Sequence, residues 1–413
     1  MSREFFATRT VAEALAGFNP TLRTPAQTVP LAQALGRVPA CDVVAPAPLP
    51  GFARSTVDGY AVRAADTYGT SEGLPSYLDV IGAVRMGAQP DVTVAAGTAV
   101  EMPTGGVLPV GADAVVMVEY TTEAMPGTVE VLRPVAPGGG IVRADDDVTA
   151  GAVLVPAGRP LRAADLGMLA AAGIIELVVH ARPRVAILST GDEVVPPATV
   201  TLRPGQVRDA IASALAGLVL DAGGSPVPCG IVPDDPAALR GALQAALAQA
   251  DLVVISAGSS VGARDATADA VATLGKPGIF CHGLAVKPGK PTLLAECDGV
   301  PVIGLPGNPL SALVVFRLVG TPLVWRLAGC ATPPPEPSVT ASLTREVPSE
   351  AGRRDVVQVR LGDGQAEPGG QAEPLFGASA LLSVLTRADG YLVVPEAATG
   401  LDAGAHVSVT LYR

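Results

Sequence analysis

Apolar positions change their spacing near residue 184. Before it, strand-like runs at 77–84, 114–118, 128–132 and 153–155 are short and broken by glycine and proline, which predicts small β-rich modules. Short helices are predicted at 11–18 and 31–36, and 161–173 carries helical spacing that Gly173 would stop. From 184 to 329, buried strands and helices alternate. Strands are expected at 185–189, 227–232, 252–256 and 300–304, with helices at 207–222, 236–250 and 266–274 and a long one from Pro309. This rhythm predicts a parallel α/β sheet with ligands at the carboxyl ends of its strands. The proline-rich segment 332–337 (TPPPEP) reads as a stiff linker. Beyond it, strand-like runs at 356–361, 391–394 and 406–411 predict a small all-β domain.

Composition sharpens this picture. At 413 residues the chain exceeds what one core usually organises, so several domains are expected. Apolar residues make up 49% but aromatics only 3%, so the interior should be aliphatic. The most apolar stretch, 309–329, contains Arg317 and Pro322, so no membrane-spanning helix is expected. The first residues, MSREFFATRT, lack the basic and apolar segments of a secretion signal, which makes a cytoplasmic location the expectation. Net charge is −11, which disfavours nucleic acid and anionic lipid as partners. The 5 cysteines and 3 histidines are dispersed, so disulfides and zinc are not expected, and a catalytic metal would rest on carboxylates, which suit Mg²⁺.

Lysine usage is the more pointed signal. Of 28 basic residues only Lys276, Lys287 and Lys290 are lysines, and all lie close together. In LAVKPGKPTLL (284–294) a rigid Pro-Gly turn separates Lys287 from Lys290; paired cations held close repel unless an anion lies between them. Three other motifs follow predicted strands. LSTGDEVVPP (188–197) offers Asp192 and Glu193 to hold a cation or orient water, or else simply caps a turn. ISAGSSVGARD (255–265) offers backbone amides at Gly258, Ser259 and Ser260 for a phosphate and Asp265 for Mg²⁺, or is a Gly/Ser connector. IGLPGNPLSA (303–312) brings Pro306, Gly307, Asn308 and Pro309 to the start of a helix whose amides would face a ligand. In VPDDP (232–236), Asp234 and Asp235 read alone as acidic capping before Pro236. STVDGYA (55–61), the turn 101–119 and the acidic run 145–147 acquire no role from residue chemistry alone.

Taken in order, STVDGYA, MPTGG-LP-GADAVV, STGDE, SVG-RD, KPGKP and LPGNP resemble the MoeA family, the molybdopterin molybdenumtransferases, which include the carboxyl-terminal domain of gephyrin. The resemblance runs along nearly the whole chain. It implies an elongated N-terminal subdomain (1–50 and 146–181), a β-rich insertion (51–145), a molybdopterin-binding-like α/β domain (182–330) and a β-barrel-like domain (338–413). It also implies a homodimer that uses Mg²⁺ and molybdate to convert adenylylated molybdopterin into molybdenum cofactor, releasing AMP. By the same resemblance, Asp58, Asp147, Glu193, Asp234 and Asp265 are expected to be catalytic, with Glu193 and Asp265 holding the metal. Thr104, Gly258, Ser259, Ser260, Lys287, Lys290, Pro306, Gly307, Asn308 and Pro309 are expected to bind substrate or anion. The site would join the α/β domain of one subunit to the Asp58 and Thr104 region of the other, with a molybdopterin adenylyltransferase and molybdoenzymes as further partners. Two positions depart from the family pattern: Gly283, where many relatives carry a basic residue, and Ala257, where glycine is usual. The competing readings are a molybdopterin adenylyltransferase, which would need neither the N-terminal subdomains nor the last domain, and a gephyrin-like scaffold, which would not need the acids and lysines.

Overall fold

The computed structural model describes residues 8–256, 261–330, 332–362 and 370–412, with only the backbone described over 261–265. The chain forms two compact units, one made of 1–41, 157–162 and 178–413, the other of 42–156 and 163–177.

The first unit is built on a six-stranded sheet. Its strands are β1 (Arg184–Thr190), β2 (Ser225–Val232), β3 (Leu252–Ser256), β4 (Pro277–His282), β5 (Leu293–Cys297) and β6 (Val300–Leu305), in the order β2-β1-β3-β6-β5-β4. The β1, β2, β3 and β6 pairings are parallel, and β5 and β4 add antiparallel. Continuous apolar strands arise because both faces are covered. Val185 and Ile187 of β1 enter one core with Leu215 and Val219 of helix α1 (Ile211–Asp221), whereas Ala186 and Leu188 enter another with Leu239 and Leu243 of α2 (Pro236–Gln249). The helix α3 (Val261–Ala272) packs on the α2 side.

Four sequence expectations are corrected here. Val207 and Arg208 are not helical; they pair in parallel with Val194 and Val195, and α1 starts only at Ile211. The helix expected at 266–274 begins at Val261. The long helix from Pro309 is α-helical over Pro309–Val315, widens to a π turn over Phe316–Gly320 and resumes at Thr321–Leu327. Pro322 has no N–H and crowds the carbonyl a turn earlier, so the chain accommodates it by widening. At 19 residues this run is long and apolar enough to cross a membrane, contrary to the expectation that none exists, yet most of it is buried in the protein's own core. Arg317 within it pairs with Glu336 at 2.5 Å and stacks over Tyr412.

The C-terminal part closes into a barrel. Arg354–Gly362, Gln371–Leu375, Ser338–Leu343, His406–Leu411 and Gly390–Val394 pair in that order, and the last returns to the first. A five-residue helix, Leu382–Thr386, interrupts the all-β pattern. Val286–Lys287 adds in parallel to Arg354–Gly362, Val286 opposite Arg354, so the lysine loop is stitched to the barrel wall.

The second unit carries its own six-stranded sheet, ordered Ala114–Met117, Gly59–Val62, Thr98–Met102, Ser76–Ala83, Thr128–Val131, Thr121–Met125. Alternate residues face opposite cores: Ala61 and Val115 one, Val62 and Val116 the other. Helix Ala163–Ala171 is shorter than the predicted 161–173.

Candidate functional site

In the first unit, the strand ends of the α/β sheet and the barrel wall enclose a cavity of about 580 Å³. Lys287, Lys290 and Arg353 line it together with Asp355, Gln358 and Ser379. The lysine loop is held from inside: the Leu284 amide donates to the Lys290 carbonyl at 2.9 Å, and the buried Thr292 hydroxyl donates to the Gly289 carbonyl at 2.7 Å. Gly289 has φ +124°, and a Cβ there would lie 2.3 Å from Val315, so only glycine lets the turn pass the helix. Asp355, 3% exposed, accepts from Arg353 at 2.8 Å and pairs with Lys287 at 3.9 Å. Lys290 makes no ion pair among the described residues. The cavity wall thus carries three cations against one buried carboxylate. That is a surplus of positive charge suited to a multiply charged anion.

A second cavity of about 390 Å³ opens at the ends of β1 and β3, lined by Ser189, Thr190, Glu193, Asp209 and Ser256. Asn308 lines both cavities. The Ser189 hydroxyl donates to Asp209 at 2.6 Å and receives the Ser256 hydroxyl at 3.3 Å, while the other Asp209 oxygen accepts the Ala212 amide of α1. Pro306 lines the first cavity and Gly307 and Pro309 the second, so the LPGNP loop is the partition between them. Its helix amides are not all turned to a ligand: Leu310 N–H donates to the Ser379 carbonyl, and beside it the Asn308 side-chain Nδ2 donates to the Ser379 hydroxyl.

Acids gather beside the second cavity. Asp235 caps α2 through the Ala238 amide, the role the sequence offered for it. Asp234 does not: its own N–H donates to Asp192, and its carboxyl is held above the usual range by burial, then by repulsion from Asp192 and Glu193. Among the described residues no three His, Cys, Asp or Glu side chains form a metal cage. Gly258, Ser259, Ser260 and Ala257 lie outside the described residues, and of Asp265 only the backbone, in α3, is described.

The second unit holds Asp58 and Thr104. One Asp58 carboxylate oxygen accepts both the Thr104 amide at 2.7 Å and the Thr104 hydroxyl at 2.9 Å. These bonds, the backbone one first, hold its carboxyl below the ordinary carboxylate range, so Asp58 is an exposed and firmly ionised group. Its folded pKa being depressed, the bonds contribute stability above the unfolded pKa that is lost as pH falls through the folded one. Thr104→Val removes one of the two donors. The Asp58 pKa is therefore expected to rise towards the ordinary value, and a side-chain NMR titration that shows no rise refutes this account. Asp147 lies exposed in the loop after Ile141–Val142, its N–H bonded to the Leu49 carbonyl; Asp146 instead receives the Arg143 amide.

Arg353, Asp355, Gln358, Ser379 and Asp209 were not singled out in the sequence. Asp209 precedes a helix and so had a capping signature, hidden because 207–222 read as one helix. The barrel residues carried no local signal, since strand pairing alone brings them to the lysine loop.

Comparison with known proteins agrees along the whole chain. Residues 9–173 match the MoeA N-terminal region (domain I and II), 186–326 a probable molybdopterin binding domain, and 340–412 the MoeA C-terminal region (domain IV). Molybdopterin molybdenumtransferase 2 of Mycobacterium tuberculosis is 37% identical over 386 residues, covering 92% of this chain and 94% of the relative. Molybdopterin molybdenumtransferase of Nostoc sp. is 38% identical over 308 residues, 74% of this chain and 70% of the relative. A crystal structure of a molybdopterin biosynthesis MoeA protein from Pyrococcus horikoshii superposes with a TM-score of 0.85 at 31% identity, covering 98% of this chain and 100% of that one. With matches spanning all three regions and a relative 37% identical over nearly its full length, the chain belongs to the MoeA family.

Proposed function

We propose that this protein is a molybdopterin molybdenumtransferase that takes adenylylated molybdopterin and molybdate to molybdenum cofactor, releasing AMP. The observation that carries the reading is the convergence of Lys287, Lys290 and Arg353 on one cavity that is parted by Asn308 from a second, carboxylate- and hydroxyl-lined one. Molybdate is a doubly charged tetrahedral oxyanion, and the first cavity offers it three cations. The pterin substrate would occupy the second, where the Ser189, Thr190 and Ser256 hydroxyls bind and orient it and place it beside the oxyanion.

Mg²⁺ fits the acid group at the second cavity as a shared ligand rather than a caged ion. The Asp234 carboxyl is held up by burial and then by its neighbours Asp192 and Glu193, and Mg²⁺ commonly takes only one or two carboxylates plus substrate phosphate. Glu193 and Asp265 would hold it, and when bound it would neutralise charge on the phosphates.

The reading includes a homodimer, in which Asp58 and Thr104 of one subunit complete the site of the other; it rests on the family resemblance and on Asp58 being exposed and ionised. Asp58→Ala is expected to lower turnover about 10²-fold, the usual contribution of one positioned acid–base or electrostatic group, while sedimentation still reports a dimer. Turnover at the wild-type rate would remove Asp58 from the site. The function itself is tested by incubating the purified protein with adenylylated molybdopterin, Mg²⁺ and molybdate and assaying AMP; no molybdate-dependent AMP release would reject it.

A further inference from the structure

Gln358 lies within the barrel strand Arg354–Gly362, is 2% exposed and lines the lysine cavity. The Tyr412 hydroxyl donates to its Oε1, yet its Nε2 has no hydrogen-bond partner among the described residues. A buried amide N–H left unpaired lowers stability, and such a group persists where a ligand supplies the missing acceptor. The other end of the carboxamide is held firmly. Tyr412 packs under the Arg317 guanidinium at 4.7 Å, and Arg317 bonds Glu336, which also accepts the Tyr391 hydroxyl at 2.8 Å. Burial pushes the Tyr412 phenol up to about 12, so it stays protonated and keeps donating.

Building on the oxyanion reading above, we propose that Gln358 is a ligand-contacting, specificity-determining residue. Its Nε2 donates a hydrogen bond to an oxygen of the tetrahedral oxyanion held by Lys287, Lys290 and Arg353, and Tyr412 is the positioning residue that holds the carboxamide by its oxygen and leaves the N–H for the ligand. The two kinds of group do different work. Lysine ammonium groups on flexible stems attract any doubly charged anion and separate such anions poorly. A neutral donor fixed by packing and by a second hydrogen bond contributes only when an oxygen reaches it, so it discriminates by the size of the anion.

The test is calorimetric titration of the full chain with sodium molybdate and, separately, sodium sulfate. Gln358→Met is expected to weaken molybdate binding about 10-fold, the worth of one hydrogen bond to a charged group, and to reduce the preference for molybdate over sulfate. Gln358→Glu places a carboxylate at the same spot and is expected to weaken it about 100-fold. Tyr412→Phe frees the carboxamide to turn and should give a smaller loss with an unchanged anion charge requirement. The Gln358→Met loss should be the same at low and high salt, whereas the Lys290→Met loss shrinks as salt rises; a merely structural role for Gln358 would weaken molybdate and sulfate alike and leave the preference between them unchanged. If wild type and Lys290→Met bind molybdate alike, or wild type binds none, the oxyanion reading falls and this inference with it. If Lys290→Met weakens binding but both Gln358 variants bind as wild type does, only the role of Gln358 is overturned.

Discussion

Lys290→Met should lower molybdate-dependent turnover about 10³-fold while leaving the unfolding midpoint within error of wild type. The separation follows from the environment of the ammonium group. Lys290 is exposed to the cavity and makes no ion pair among the described residues, so its charge serves no fold contact that methionine would break. Methionine keeps the length and apolar stem. What disappears is a cation facing the position of a doubly charged ligand, and one preorganised charge-stabilising group removed from a reacting centre typically costs a factor of 10² to 10³. Lys287→Met is the informative contrast. Lys287 pairs with the buried Asp355, so its loss leaves that carboxylate to Arg353 alone and should lower the midpoint as well as turnover. Equal midpoints for the two variants, or turnover in Lys290→Met within threefold of wild type, would contradict the charge distribution described for the cavity.

The same cavity shows what could be read in the chain before its fold was known. Three lysines in one short stretch of an arginine-using protein are a compositional anomaly, and two of them, Lys287 and Lys290, line a single cavity on either side of a Pro-Gly spacer. The α/β strands were legible for an equally local reason: residues such as Val185 to Leu188 are apolar on both faces because both faces are covered. Long-range pairing was not legible. Val207 and Arg208 continue the helical spacing of α1 and were drawn into it, although their backbone groups pair with Val194 and Val195 instead. Ser338–Leu343 and Gln371–Leu375 mix polar with apolar residues, so the barrel strands they form were not foreseen. Arg353, Gln358 and Ser379 reach the site only because Val286 pairs with Arg354 and Leu310 N–H bonds the Ser379 carbonyl. No window of sequence contains both partners of such a contact.

Gly59 makes the complementary point, that a single absent atom supports an entire motif, and Gly59→Ala is expected to be the most destabilising change described. Gly59 sits between two strands, opposite Met102 on one side and Met117 on the other. A Cβ on it would lie 1.8 Å from the Val116 carbonyl oxygen, 2.9 Å from its carbon and 3.0 Å from the Val118 nitrogen. All three are backbone atoms, so no side chain can rotate away; the strands must separate. Separation breaks the Val118 N–H bond to the Asp58 carbonyl and pulls Asp58 from Thr104, coupling fold and site through one position. A loss of about 4 kcal/mol or more is expected in urea unfolding of the second unit's transition, at the upper end of what single substitutions cost. Gly69→Ala is the control: its φ is +82° but nothing lies within 4 Å of the added Cβ, so only the backbone conformation is penalised, at about 1–2 kcal/mol. Were the two alanine variants to unfold at the same urea concentration, the close approach of the Gly59 and Val116 strands would not be what stabilises this sheet.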